Sequence, residues 1–88
     1  MSHLWKIIEL KDKLADGLVP HNVEFDGQIL GTNMSYDSAR EFVSLQMKPG
    51  EKLIEVYLSS GNQAEYSFDE FMDSLKVTEN LLNRYNSL

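Results

Sequence analysis

The segment Asn22-Val23-Glu24-Phe25-Asp26-Gly27-Gln28-Ile29 sets oxygen-bearing side chains at alternate positions, glycine at the sixth and isoleucine at the eighth. That is how a calcium-binding loop opens, with the glycine permitting the sharp turn around the ion. Such a loop closes on a bidentate glutamate at its twelfth position, which here is Asn33, and Gly17 and Pro20 interrupt the helix that should lead into it. A hairpin turning at Asp26-Gly27 explains the same residues with less. The remaining candidates are sparse. His3 and His21 are the only histidines, and both read as exposed polar side chains rather than as a base or a zinc ligand. Asp69, Glu70 and Asp73 are neighbouring carboxylates, but acid-base work also needs a cleft and a raised pKa, whereas acids opening a helix are ordinary. Gly61-Asn62-Gln63 is too short to cradle a phosphate. No catalytic residue, metal ligand or cofactor is expected, and the chain does not read as an enzyme.

Composition narrows the classes further. The 88 residues hold no cysteine, which excludes disulfides, thiolate metal sites and thiol nucleophiles, and which suits a reducing, cytoplasmic setting. The length suits one compact domain spanning 1–88, with little core to spare for a deep pocket. The amino-terminal residues lack the basic-then-apolar pattern of a secretory signal, and no apolar run approaches the about 20 residues that cross a bilayer. A net charge of −6 disfavours nucleic acid and anionic membranes as direct partners. The acids are also segregated. Asp16, Glu24, Asp26 and Asp37 stand between Lys13 and Arg40 with no lysine or arginine among them, and Glu55, Glu65, Asp69, Glu70 and Asp73 stand likewise between Lys52 and Lys76.

The elements that would position these acids follow from periodicity. Leu4, Ile7, Ile8, Leu10, Leu14 and Ala15 share one side at helical spacing, which predicts an amphipathic helix from His3 to Asp16, with Gly17 as its stop. Trp5 lies at the edge of that arc, readable as core or as an exposed anchor for a partner, and Tyr36, Tyr57, Tyr66 and Tyr85 share the ambiguity. After Pro20 the period becomes two, predicting a hairpin of Val23–Phe25 with Gln28–Leu30. Residues 38–47 are ambiguous: Ser38 with Glu41 forms a capping box, yet Val43, Leu45 and Met47 alternate with polar residues. Pro49-Gly50, suited to a type II turn, favours a strand from Phe42 joined to a second over Leu53–Ser59, then a third at Ala64–Tyr66. Ser67 with Glu70 caps a final helix whose apolar positions run Phe68, Phe71, Met72, Leu75, Thr78, Leu82, Tyr85. The expected fold is therefore α+β: an N-terminal helix, an antiparallel sheet of three to five strands and a C-terminal helix, both helices on one sheet face.

In size, charge and economy such a chain resembles small acidic inhibitors of phages and mobile elements, such as anti-CRISPR proteins, and nuclease-immunity proteins. The resemblance is one of type and rests on no motif. It implies a protein-binding module, a regulator or stoichiometric inhibitor that mimics nucleic acid before a basic partner. The partner-binding residues expected on this reading are Glu55, Glu65, Asp69, Glu70 and Asp73. The alternatives are a self-assembling structural protein, whose partner is a second copy, and, last, a small ligand carrier or enzyme.

Overall fold

A computed structural model describes residues 3–11, 17 and 19–76. Its elements run β1 (Leu4–Glu9), β2 (His21–Phe25), β3 (Gln28–Met34), α1 (Tyr36–Gln46), β4 (Lys52–Tyr57) and β5 (Asn62–Ser67), followed by a second helix, α2, described over 68–76. The five strands form one sheet in the order β3-β2-β1-β4-β5. Neighbours pair antiparallel except β1 with β4, which run parallel, so the sheet is mixed.

The predicted first helix is a strand, and a central one. Trp5 and Ile7 point to the face that the helices cover and are 4% and 1% exposed, while Leu4, Lys6 and Ile8 point to the other face and are half-buried. A strand flanked on both sides carries apolar residues on both faces, which blurs the two-residue alternation and lets Ile7-Ile8 imitate a helical arc. The rest of the expected helix, residues 12–16, lies outside the described residues.

The second correction concerns 38–47, which are helical rather than extended. Ser35 is the N-cap, its hydroxyl accepting from the Ser38 backbone N–H at 3.1 Å. Ala39, Val43 and Met47, four apart, pack one side into the core. The apparent alternation was accidental: Leu45, which a strand would have buried beside Val43, is 76% exposed. Pro49-Gly50 does form a turn, with the Glu51 N–H donating to the Lys48 carbonyl at 3.1 Å and Gly50 at φ +90°, but it joins α1 to β4. Because a helix separates β3 from β4, the chain crosses over two strands and re-enters parallel to β1, which is why the sheet is not antiparallel.

The hairpins expected around Asp26-Gly27 and Ser60-Gly61 are present as β2–β3 and β4–β5. Asp26 and Gly27 have φ of 50° and 86°, the left-handed pair that a two-residue turn between twisted strands requires. Ser67 and Glu70 close the capping box of α2: the Glu70 N–H donates to the Ser67 hydroxyl at 3.2 Å, and the Ser67 N–H to a Glu70 carboxylate oxygen at 3.1 Å. The core lies between the covered face and the helices. Trp5, Ile7, Val23 and Leu53 come from the strands, Ala39, Val43 and Met47 from α1 and its end, and Phe71 from α2. Each large apolar side chain so buried contributes roughly 1.5–3 kcal/mol. Residues 77–88, where the sequence predicts that the last helix continues, lie outside the described residues.

Candidate functional site

Two polar assemblies stand out, one sealed and one open. The sealed one centres on Glu55 of β4, which is 0% exposed. Parallel pairing places Glu55 beside Ile7, on the covered face, and Tyr57 two residues on shares that face. The Tyr36 phenol, at the start of α1, donates to the Glu55 carboxylate at 2.8 and 3.0 Å from its two oxygens, and the Tyr57 phenol donates at 2.5 Å. Arg40, one turn along α1, brings Nε to 3.5 Å from Glu55 Oε2, an ion-pair contact without hydrogen-bond alignment. Its guanidinium donates to the Ser74 hydroxyl of α2 at 2.5 Å and lies 5.5 Å from the Tyr36 ring centroid and 5.2 Å from that of Phe71.

One carboxylate thereby ties α1 and α2 to the sheet. Burial pushes the Tyr36 phenol up to about 12, with the Glu55 hydrogen bond and charge adding to it. Burial raises Tyr57 as well, again reinforced by Glu55. Phenols held protonated donate to the carboxylate, so the cluster ties α1 to the sheet through Glu55.

The open assembly lies at the end of the sheet where β1 and β4 begin. Asp26, in the β2–β3 turn, accepts from the Leu4 N–H at 2.8 Å and bonds the His3 ring at 2.6 Å. The Leu4 N–H and then the His3 bond hold the Asp26 carboxyl below its ordinary value. His3 also rests 5.3 Å from the Phe25 ring, which in turn lies 4.4 Å from Trp5. Glu51, just before β4, is only 9% exposed. Its Oε1 accepts from the Trp5 indole N–H at 3.0 Å and from the Lys48 N–H at 2.7 Å. Among the described residues no hydrogen bond reaches its Oε2, and no lysine, arginine or histidine pairs with it.

Glu51 forms the wall between two open clefts. The larger, about 460 Å³, runs between the end of α1 and β3, with Trp5, Phe25 and Leu30 as its apolar lining and His3, Lys48 and Glu51 among its polar residues. The smaller, about 250 Å³, is bordered by Glu51, Lys52, Phe68 and Asp69.

The acids singled out by sequence do not form one patch. Glu55 is sealed inside and cannot meet a partner. Glu65 pairs in register with Ile54 on the sheet's other face, exposed and 3.6 Å from Lys52. Asp69, Glu70 and Asp73 are exposed along the first turns of α2, where Glu70 is engaged in the capping box; the Ser67 N–H, then its hydroxyl, hold the Glu70 carboxyl low. Trp5 is core, with its N–H used internally. His21, read as exposed, is 5% exposed, its ring 5.5 Å from that of Tyr36 and its Nδ1 without a hydrogen-bond partner. The segment 22–33 is the β2–β3 hairpin, with Thr32 donating to the Asn22 side chain at 2.7 Å, and among the described residues no cluster of three potential metal ligands occurs.

Sequence reasoning missed Asp26, Tyr36, Arg40 and Glu51 as members of clusters. The contacts that join each of them to a distant element span 15 to 46 residues along the chain, so local spacing could not have signalled them.

The comparisons with known proteins add no lineage: no protein-family model, curated protein or solved structure gives a significant match to the chain. No helix among the described residues is long and apolar enough to cross a membrane. Of the two sheet edges, β3 exposes Ile29 and Leu30, but two register shifts and a left-handed Asn33 disrupt it, a device that discourages edge-to-edge pairing.

Proposed function

We propose that this chain is a small protein-binding module that docks a basic, nucleic-acid-processing protein against the end of its sheet where β1 and β4 begin, as a regulator or stoichiometric inhibitor. The observation that carries the reading is Glu51, a nearly buried carboxylate without a described counter-ion, walling two clefts, one bordered by Asp69 and the other by His3, the partner of Asp26. Asp73, one turn beyond Asp69, extends the negative field along α2, and Glu65, on the sheet's other face beside Lys52, adds charge to the β5 edge. Glu55 has no part in it. Exposed acids such as Asp69 and Asp73 attract a cationic surface over a Debye length and compete for the groove that phosphates would occupy. The Glu55 cluster, which ties α1 and α2 to the sheet, favours a binding surface that is organised before docking.

The test is affinity capture with the wild-type chain beside a variant carrying Glu65→Lys, Asp69→Lys and Asp73→Lys, which spares the capping pair. The wild type should retain a basic nucleic-acid-binding protein that salt releases, and the variant should lose it, with association slowed about tenfold or more. Retention of the same protein by both chains, or no basic protein on the wild type, rejects the reading.

A further inference from the structure

A carboxylate taken out of water is costly unless it is paired, and hydrogen bonds to one of its two oxygens satisfy it only in part. Glu51 is largely buried but not sealed: Oε2 is not among the buried polar atoms that lack a partner, so its second oxygen is open to an incoming donor. Trp5 Nε1 and the Lys48 N–H hold Oε1 in place, Oε2 accepts nothing among the described residues, and the residue is 9% exposed. Lys48 lines the same cleft, yet its exposed side chain makes no ion pair with Glu51. Glu51 lines both of the clefts it separates. The larger offers about 460 Å³ and is flanked by the half-buried ring of Phe25 and by Leu30.

We infer that Glu51 seats the guanidinium of an arginine side chain, entering the cleft between α1 and β3 from the basic partner. The inference rests on the proposed function for the source of that arginine, and it deepens that reading by naming the group recognised. The cleft's chemistry selects a guanidinium in three ways. A fixed carboxylate acceptor forms one of its walls and takes a charge-assisted hydrogen bond. The aromatic and aliphatic walls suit a planar, weakly hydrated cation better than the strongly hydrated ammonium of lysine. The volume is within the about 300–1,000 Å³ of small-ligand sites and admits the side chain with its aliphatic stem. Because Trp5 and Lys48 already fix the carboxylate, no rotamer freedom of Glu51 is lost on binding.

The chain holds a single tryptophan, and its indole N–H bonds the very carboxylate in question, so it reports on the site directly. The experiment titrates N-acetyl-arginine amide, N-acetyl-citrulline amide and N-acetyl-lysine amide into the full chain and follows the Trp5 indole N–H resonance. Citrulline keeps the shape of arginine without its charge. Arginine amide should shift the resonance saturably, lysine amide several-fold more weakly and citrulline amide not at all. Glu51→Gln, which keeps an oxygen for Trp5 while removing the charge, should weaken arginine binding about tenfold or more, and Lys48→Ala should tighten it.

Equal responses to arginine and citrulline, equal responses to arginine and lysine, no saturable response, or undiminished binding by a folded Glu51→Gln variant would each overturn the inference. Should Glu51→Gln fail to fold, the comparison of arginine with citrulline on the wild type decides alone. These titrations need no partner protein, so a failure here is separable from a failure of the capture experiment.

Discussion

Removing a single oxygen from Tyr36 tests whether the Glu55 cluster is what holds α1 to the sheet. Tyr36→Phe leaves the ring against His21 and Arg40 and changes little apolar burial, but it deletes the donor lying 2.8 and 3.0 Å from the two Glu55 oxygens. A hydrogen bond to a charged, buried acceptor contributes about 1.5–3 kcal/mol. Tyr57 and Arg40 remain in place, so the carboxylate is depleted rather than abandoned and the lower half of that range is expected. For a chain of 88 residues the whole margin is roughly 4–13 kcal/mol, so the loss is readily measured. Urea unfolding should show the midpoint falling by about 1 M with an unchanged slope, at a slope of about 1–2 kcal/mol/M. The control is the same substitution in a Glu55→Gln background, where the acceptor is neutral and the cost should shrink to about 0.5–1.5 kcal/mol. A loss below about 0.5 kcal/mol in the wild-type background, or equal losses in both, would refute the argument that the phenol acts through the charge of Glu55.

Two further outcomes follow from the same geometry. Tyr36 titrates at about 12 in the folded chain and near its ordinary value when unfolded, and Tyr57 is raised likewise, so between about pH 10 and 12 the unfolded state has released protons that the folded state keeps. Stability is thus full below about pH 10 and falls as pH rises through that window, and urea midpoints for a Tyr36→Phe/Tyr57→Phe chain should show a flatter decline. Ser67→Ala should cost about 0.5–2 kcal/mol by opening the capping box of α2, and an NMR titration should show the Glu70 carboxyl moving up toward its ordinary value once its Ser67 hydroxyl contact is gone.

What the sequence determined by itself was local. Asp26-Gly27 dictates a left-handed two-residue turn whatever surrounds it, Ser67 and Glu70 can satisfy each other's backbone within one turn, and Pro49-Gly50 must turn the chain. Each depends on contacts two to four residues apart. Tertiary structure decided what depends on which faces are covered. Leu4–Glu9 became the central strand because both its faces find apolar neighbours, and Phe42–Met47 remained helical because Ala39, Val43 and Met47 meet the sheet while Leu45 does not. Once that helix stood between β3 and β4, parallel pairing put Glu55 under α1 and removed it from the surface where charge counting had set it. Glu51 and Trp5 are 46 residues apart along the chain. Only folding brings an indole N–H to that carboxylate and fixes one of its oxygens while leaving the other without a bonded partner among the described residues.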